Sequence, residues 1–414
     1  MQFSRRFFLK SSGLTFVGLG FVPQFLERAL AQSSNARGKI LVVIFQRGAA
    51  DSLSMVPPFG DPQYYAVRPT TALSPPGRGA DSAIRLNDTL GLHPALSALQ
   101  RFWDNGNLAI VQGVGSPKST RSHFDAQDFV EAGIPGQRTN DGWLNRALLA
   151  SPEPNISGFR AVAIQPNLPR SLLGPAPAMA ISSLANFRLQ TGRFSGPAEE
   201  GFEAMYAAAV DTSLRQSGGE AFRALREVQT AKLEQMPARN GAQYPNSPLG
   251  KRLADLARLI HADLGLEVGA TDCDGWDTHV NQGNAQGQLA GRLKNLGDSI
   301  AAFASDLGEK MADVCLVTMT EFGRTVRENG NRGTDHGTGS AMFVLGGNVK
   351  GRQIYGRWME LTPSNLFEGR DLPVTTDYRT VLAQAVQAQL QVRAVDKVFP
   401  GLDLRSLPPL GIFS

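Results

Sequence analysis

Histidine and cysteine are scarce in this chain. Its 414 residues hold five histidines and two cysteines. Two thiols cannot build a cysteine zinc cluster. No Gly-x-Ser-x-Gly occurs, which excludes the serine-hydrolase elbow. No P-loop, no dinucleotide fingerprint after a strand and no internal repeat is present. No apolar run approaches the length of a membrane span. Excess charge is also missing. The net charge is +4, and residues 1–31 carry Arg5, Arg6, Lys10 and Arg28 against Glu27, so +3 of it lies there. The remainder is near neutral, which argues against nucleic acid or an anionic membrane as partner.

What is present begins with an address. Ser4-Arg5-Arg6-Phe7-Phe8-Leu9-Lys10 is a full twin-arginine motif. A mildly apolar stretch and a small-x-small site, Ala29-Leu30-Ala31, follow in the right order. Pro23, Glu27 and Arg28 break the apolar stretch, so it forms no stable membrane span. Residues 1–31 are expected to be a signal peptide read by the twin-arginine export machinery. Residues 32–414 are expected to be a single periplasmic or secreted domain. The destination is oxidising and permits a disulfide. Cys315 lies early in one strand and Cys273 beyond the end of another, so two free, buried thiols are expected.

Residues 39–45, KILVVIF, are apolar throughout, as a strand buried on both faces must be. Residues 108–114, 266–271, 313–320 and 341–345 read as further strands, with two short ones within 157–182. Leu289, Leu293, Leu296, Ile300, Phe303 and Leu307 recur at helical spacing. Strand 266–271, helix 284–308 and strand 313–320 therefore form one right-handed βαβ unit. Ser122, followed by Asp125, starts a helix that ends near Gly133. Thr375-Thr376-Asp377 caps a last helix to about 392. Residues 190–250 read as a helical insertion. These elements predict a three-layer α/β/α sandwich with a mostly parallel central sheet.

The strand ends deliver chemistry, where open α/β sheets place their ligands. Asp51 follows the first strand. Ser119, Thr120, Ser122 and His123 sit at a helix start after the second, which suits an oxyanion site. Asp277 and His279 share one side of an extended loop. Glu321 emerges after strand 313–320, and a Gly/Asn/Arg-rich loop returns Asp335 and His336. Acids with imidazoles hold divalent ions, with zinc, manganese, magnesium and calcium all admissible. The bland reading makes Glu321 a turn cap and Asp335 a loop fastener. His93 and His261 read as helix-end or packing residues. Arg47 and Arg324, each near a proposed ligand, can pair with ester oxygens or with internal acids.

The stretches RGAADSLSMVPP, SHFDAQDFVEAG, DGWLNRAL, GWDTH, TMTEFGRTVRENG, GTDHG and TTDYR run in order through nearly all of the mature chain. They resemble a bacterial family of twin-arginine-exported proteins, domain of unknown function 1501. Their order resembles the alkaline phosphatase and sulfatase superfamily, which implies an alkaline-phosphatase-like fold. That resemblance implies one or two metal ions on Asp51, Asp277, His279, Glu321, Asp335 and His336. Two alignments compete. Asp335-His336 is the superfamily's Asp-His pair, or Glu321 takes the Asp place and His336 becomes the final histidine. The second is preferred, because no histidine follows His336. Phe322 then stands where the superfamily keeps a histidine, and His123 supplies the missing ligand. The cysteine signature of formylglycine sulfatases is absent.

The implied activity is metal-dependent hydrolysis of phosphate or sulfate esters, on a small anionic ester or a sulfated or phosphorylated glycan. The expected attacking group is Ser122, with Ser119 and Thr120 in reserve, or metal-bound water if His123 is a ligand; Arg47 and Arg324 assist. The alternative is a non-catalytic exported binding protein that keeps the fold, with or without one structural ion.

Overall fold

The computed structural model describes residues 38–152, 157–186, 232–404 and 409–414. Strand β1 (Ile40–Arg47) is the axis of the architecture. Its alternate residues feed two separate cores. Ile40, Val42 and Ile44 join one, with Leu41, Val43 and Phe45 in the other. A strand at the centre of a sheet covered on both faces needs this run of apolar residues.

Eight more strands complete a nine-stranded sheet. They are β2 (Leu108–Gly115), β3 (Ala161–Ala163), β4 (Met179–Ala180), β5 (Val268–Asp274), β6 (Val314–Met319), β7 (Ser340–Gly346), β8 (Gln353–Tyr355) and β9 (Thr376–Asp377). The order is β8-β2-β7-β6-β1-β5-β3-β4, with β9 also paired to β2. Only β7 runs against its neighbours, β2 and β6. Its start therefore lies at the same sheet edge as the end of β6. The four strands expected to share a sheet, β1, β2, β5 and β6, do so.

Five helices matter for the layers: α1 (His123–Ala132), α2 (Trp143–Ala150), α3 (Pro248–Ala262), α4 (Gln288–Leu307) and α5 (Tyr378–Leu390). Leu253 and Leu256 of α3 and Leu293, Leu296 and Ile300 of α4 pack on the first core. Trp143 and Leu144 of α2 and Val381, Leu382 and Val386 of α5 pack on the second. This is the expected three-layer arrangement. The unit β5-α4-β6 crosses over β1, which pairs in parallel with both strands.

Several boundaries differ from the sequence reading, and one bears on the site. β5 continues to Asp274 instead of stopping at Thr271, because β1 also continues and pairs Gln46 with Cys273 and Arg47 with Asp274. Arg47 Nη2 lies 3.0 Å from Asp272 Oδ1, so that acid is tolerated inside the ladder. Cys273 thus sits within its strand and not beyond it. Cys315 pairs with Leu41, five residues from Gln46 along β1. That is about 16 Å along the strand, too far for a disulfide. Both thiols are free and buried. The expected helical insertion falls largely on residues 187–231, outside the described residues. No helix among the described residues is long and apolar enough to cross a membrane.

His93 is fully buried where a short 3-10 turn, Pro94–Leu99, begins. Its Nδ1 accepts from the Ala95 N–H at 3.0 Å, and its Nε2 faces the Asn284 carbonyl at 3.0 Å. Only the neutral ring with hydrogen on Nε2 satisfies both partners. Burial pushes its pKa down to about 4. The unfolded chain takes up a proton near pH 6.5 and the folded protein resists until about pH 4. The stabilisation from neutral His93 is thus present above the unfolded pKa and lost as pH falls through the folded value. Over that window it amounts to at most about 3 kcal/mol. Urea unfolding at several pH values tests this. His93→Asn should flatten the decline between pH 6.5 and 4, and an unchanged decline would remove His93 from the acid response.

Candidate metal site

Four loops meet beyond the carboxyl ends of the central strands. Gly48, at the end of β1, has φ +115°. A Cβ there would lie 2.7 Å from the Asp277 backbone nitrogen, so the loop after β5 can press against β1 only because this residue is glycine. Gly333 serves the same purpose, since a Cβ there would lie 2.3 Å from the His279 carbonyl.

Within this junction three of the chain's five histidines converge on one carboxylate. Asp277 Oδ1 lies 3.6 Å from His123 Nε2, 3.0 Å from His279 Nε2 and 3.3 Å from His336 Nε2. His336 Nε2 lies 3.0 Å from both His123 Nε2 and His279 Nε2. The other ring nitrogens all face acceptors. His123 Nδ1 is 2.7 Å from Glu321 Oε1, and His279 Nδ1 is 2.9 Å from Asp335 Oδ1. His336 Nδ1 is 2.8 Å from the Arg121 carbonyl. In the neutral rings each Nδ1 therefore carries the hydrogen, and three Nε2 lone pairs point at one another and at a carboxylate oxygen. Ring nitrogens backed by carboxylates or carbonyls in this way are the usual support of metal-binding histidines.

His123, Asp277 and His336 form one ligand-sized group. Its edges of 3.0, 3.3 and 3.6 Å bracket the roughly 3.3 Å between ligands of a tetrahedral zinc ion. His279 closes on the same His336–Asp277 edge. The residues present fit a nitrogen-preferring divalent ion.

Electrostatics follow from these contacts. Burial works to raise the Asp277 carboxyl, but the Arg324 guanidinium, in hydrogen-bond contact, holds it below the ordinary range. The Glu321 carboxylate lifts the pKa of His123. Burial lowers that of His336, as does the charge of neighbouring His123. Glu321 is itself buried, but donors from His123, Gln127 and the Gly48 backbone keep its carboxyl below the ordinary range. Asn329 chiefly, and His279, hold Asp335 low against burial.

Other expected residues lie elsewhere. Asp51 is fully buried and paired through both oxygens with Arg68. Ser54 and Gln282 also donate to it, at 2.8 and 2.7 Å. Four protein donors thus serve this carboxylate, three on Oδ2 and one on Oδ1. Glu321 and Asp335 stand behind histidines, on the side away from Asp277. Ser122 caps α1, its hydroxyl accepting from the Asp125 N–H at 3.4 Å. Ser119 and Thr120 line a small pocket with Glu321 and Phe322. Phe322 stacks on His123, with ring centroids 4.9 Å apart. Arg324 is buried among backbone carbonyls, and Arg47 lies between Glu131 and Asp272 at 3.0 Å from each. Neither guanidinium faces open solvent as an ester clamp would.

Residues 38–399 match the family described as "Protein of unknown function (DUF1501)". The chain belongs to this family. No curated protein sequence matches the DUF1501 chain. Among solved structures it is similar to alkaline phosphatase from the Antarctic bacterium TAB5, at 11% identity and TM-score 0.34, over 77% of this chain and 95% of that one. It is also similar to the PsFucS1 sulfatase of Pseudoalteromonas sp., at 11% identity and TM-score 0.38, over 91% and 72%. A third is the C-terminal periplasmic domain of EcEptC from Escherichia coli, in complex with Zn, at 10% identity and TM-score 0.30, over 75% and 73%.

Sequence reasoning missed the supports of the DUF1501 site: Arg68, Gln127, Glu131, Gln282 and Asn329. One signal was available. His123, Gln127 and Glu131 recur every fourth residue on a helix, a polar stripe on what proves to be its inner face. Arg68 gave none.

The Asp51–Arg68 pair predicts a separation of roles. Asp51→Asn leaves a buried guanidinium without its counter-charge and should cost about 3–5 kcal/mol of unfolding free energy. Metal content of the folded fraction should stay at the wild-type level. Chemical denaturation and elemental analysis of the same preparation check this, and loss of metal without loss of stability would make Asp51 a ligand.

Proposed function

We propose that this protein is an exported hydrolase of phosphate or sulfate esters that depends on one zinc ion held by His123, Asp277 and His336, with His279 beside them. The twin-arginine motif supports delivery to the periplasm or beyond. The observation that carries the reading is the convergence of three imidazole lone pairs on one carboxylate oxygen, with the ring hydrogens held outward. An imidazole-rich set favours zinc over magnesium or calcium, which prefer oxygen throughout.

A zinc ion there supplies a Lewis acid for an ester oxygen. The chain does the rest. Arg324 fixes Asp277 from beneath. Asp277 and His279 have side chains 45% and 39% exposed, so the approach for a substrate is from their side. The first turn of α1 brings the positive end of a helix to the same cluster, which favours an anionic ester. Ser122 is committed to its cap, so water is the attacking group in this reading.

Three outcomes test it. Protein exported in its native form should carry one zinc per chain, and His336→Ala should lose both zinc and turnover of 4-nitrophenyl phosphate or sulfate. Ser122→Ala should keep turnover and cost about 1 kcal/mol of stability. If that variant keeps zinc but loses turnover, Ser122 is the nucleophile. Zinc affinity should rise with pH. His123 has a raised pKa, so its proton must leave before Nε2 can bind, and binding releases protons. Calorimetry in buffers of different ionisation enthalpy counts them.

One observation favours a second reading. Arg47 and Arg324 are both spent on internal partners, which suits a binding protein with a structural ion. Zinc-loaded protein that turns over no ester, and unfolds when zinc is chelated, would decide for it.

A further inference from the structure

His123 has two possible uses for its Nε2. It can present a lone pair towards Asp277, or it can spend an N–H on His336 Nε2, which lies 3.0 Å away. Which of these holds is set by the nitrogen at the other end of the ring, and that end leads into a chain of side chains running away from the cluster. Glu321 Oε1 accepts from His123 Nδ1 at 2.7 Å, from the Gly48 N–H at 2.9 Å and from Gln127 Nε2 at 2.9 Å. Gln127 Oε1 in turn accepts from Arg47 Nη1 at 3.2 Å. The same Nη1 donates to Glu131 at 3.0 Å, and Nη2 donates to Asp272 at 3.0 Å.

The direction of each bond in this chain is fixed by chemistry. A guanidinium can only donate and a carboxylate can only accept. The Gln127 amide between them therefore has one orientation, with oxygen towards Arg47 and nitrogen towards Glu321. Arg47 is held by two acids and stacked over the Phe45 ring, with 4.0 Å from its guanidinium carbon to the ring centroid. The fixed end of the chain is thus on β1, and the variable end is the imidazole.

We infer that Gln127, oriented by Arg47, is a positioning residue that holds Glu321 against His123 Nδ1 and so aims the His123 Nε2 lone pair at the cluster. Without the amide donor, Glu321 loses one of the three contacts that fix its Oε1. The imidazole is then free to carry hydrogen on Nε2 and close on His336. The consequence for zinc rests on the metal reading above; the tautomer of His123 does not.

The test uses full-length protein with 15N-labelled histidine, freed of metal and observed at about pH 9, where imidazoles are neutral. His123 signals are identified by their loss in His123→Asn. Wild type should show hydrogen on Nδ1. Gln127→Met, similar in volume but without a donor, should shift His123 towards hydrogen on Nε2. It should also weaken zinc binding, by less than the roughly 10–100-fold that loss of a direct partner of a ligating histidine costs. Arg47→Lys keeps the charge against Glu131 and Asp272 but frees the amide to turn. It should give the same changes in smaller measure, and it covers the case in which Gln127→Met does not fold. A His123 that keeps hydrogen on Nδ1 in both variants, with zinc affinity unchanged, overturns the inference. The tautomer shift in a protein that binds no zinc even as wild type would support the positioning role while overturning the metal reading.

Discussion

A single buried guanidinium holds the site together. Arg324 is 2% exposed and donates to the carbonyls of Gly48, Ala49, Trp276 and Thr334 and to the Asp277 carboxylate. A charge taken out of water costs several kcal/mol unless its hydrogen bonds are met. These acceptors come from three loops, those after β1 and β5 and the one returning to β7. The cation is therefore satisfied only when the three loops are in place together. Gly48 and Ala49 take left-handed backbone, φ +115° and +70°, as they present their carbonyls to it. For Ala49 that conformation carries a small cost, which the charge-assisted bonds offset.

Beneath this sits a second polar layer. Gln282 donates to Asp51 and Ser54 and accepts from the hydroxyls of Thr278 and Thr334. Arg68 completes it through Asp51 and the carbonyls of Thr325 and Val326. The two layers share the loops that carry His279 and His336. Phe322 closes the other side, stacked on His123 and within 5.2 Å of His336 between ring centroids. The imidazoles are thus held by rigid polar packing below and an aromatic wall beside them. A preformed ligand set needs this, because a loosely held one loses affinity to its own disorder.

Much of this was legible in the sequence, but unevenly. The apolar run of β1 and the stripe of α4 follow from periodicity alone, and the sheet edge that collects Asp277, His279, Glu321 and His336 follows from them. What periodicity cannot supply is the partner of a buried acid. Asp51 looks like a ligand after a strand, and only the fold brings Arg68 to it from a loop seventeen residues on. Nor does a sequence separate an acid that faces the cluster from one that backs a histidine. Asp277 does the first, Glu321 and Asp335 the second, and all three occupy similar places after strands or in loops. β5 was read three residues short because its acids argue against a strand until Arg47 is seen beside Asp272.

The balance of charge around the cluster gives the geometry its direction. Asp277, Glu321 and Asp335 bring three carboxylates, all held below their ordinary pKa. Arg324 is in direct contact with Asp277. Asp51 and Arg68 cancel, and Arg121 and Arg370 are matched by Glu368 and Asp371. Neutral imidazoles then leave an excess of two negative charges around three convergent lone pairs. Such a site repels a phosphate or sulfate ester as it stands. A divalent cation held there would remove the excess and would let the helix end of α1 act on an anion without opposition. The hydrogen bond to Glu321 raises the pKa of His123, so a proton and a metal ion would compete for the same nitrogen.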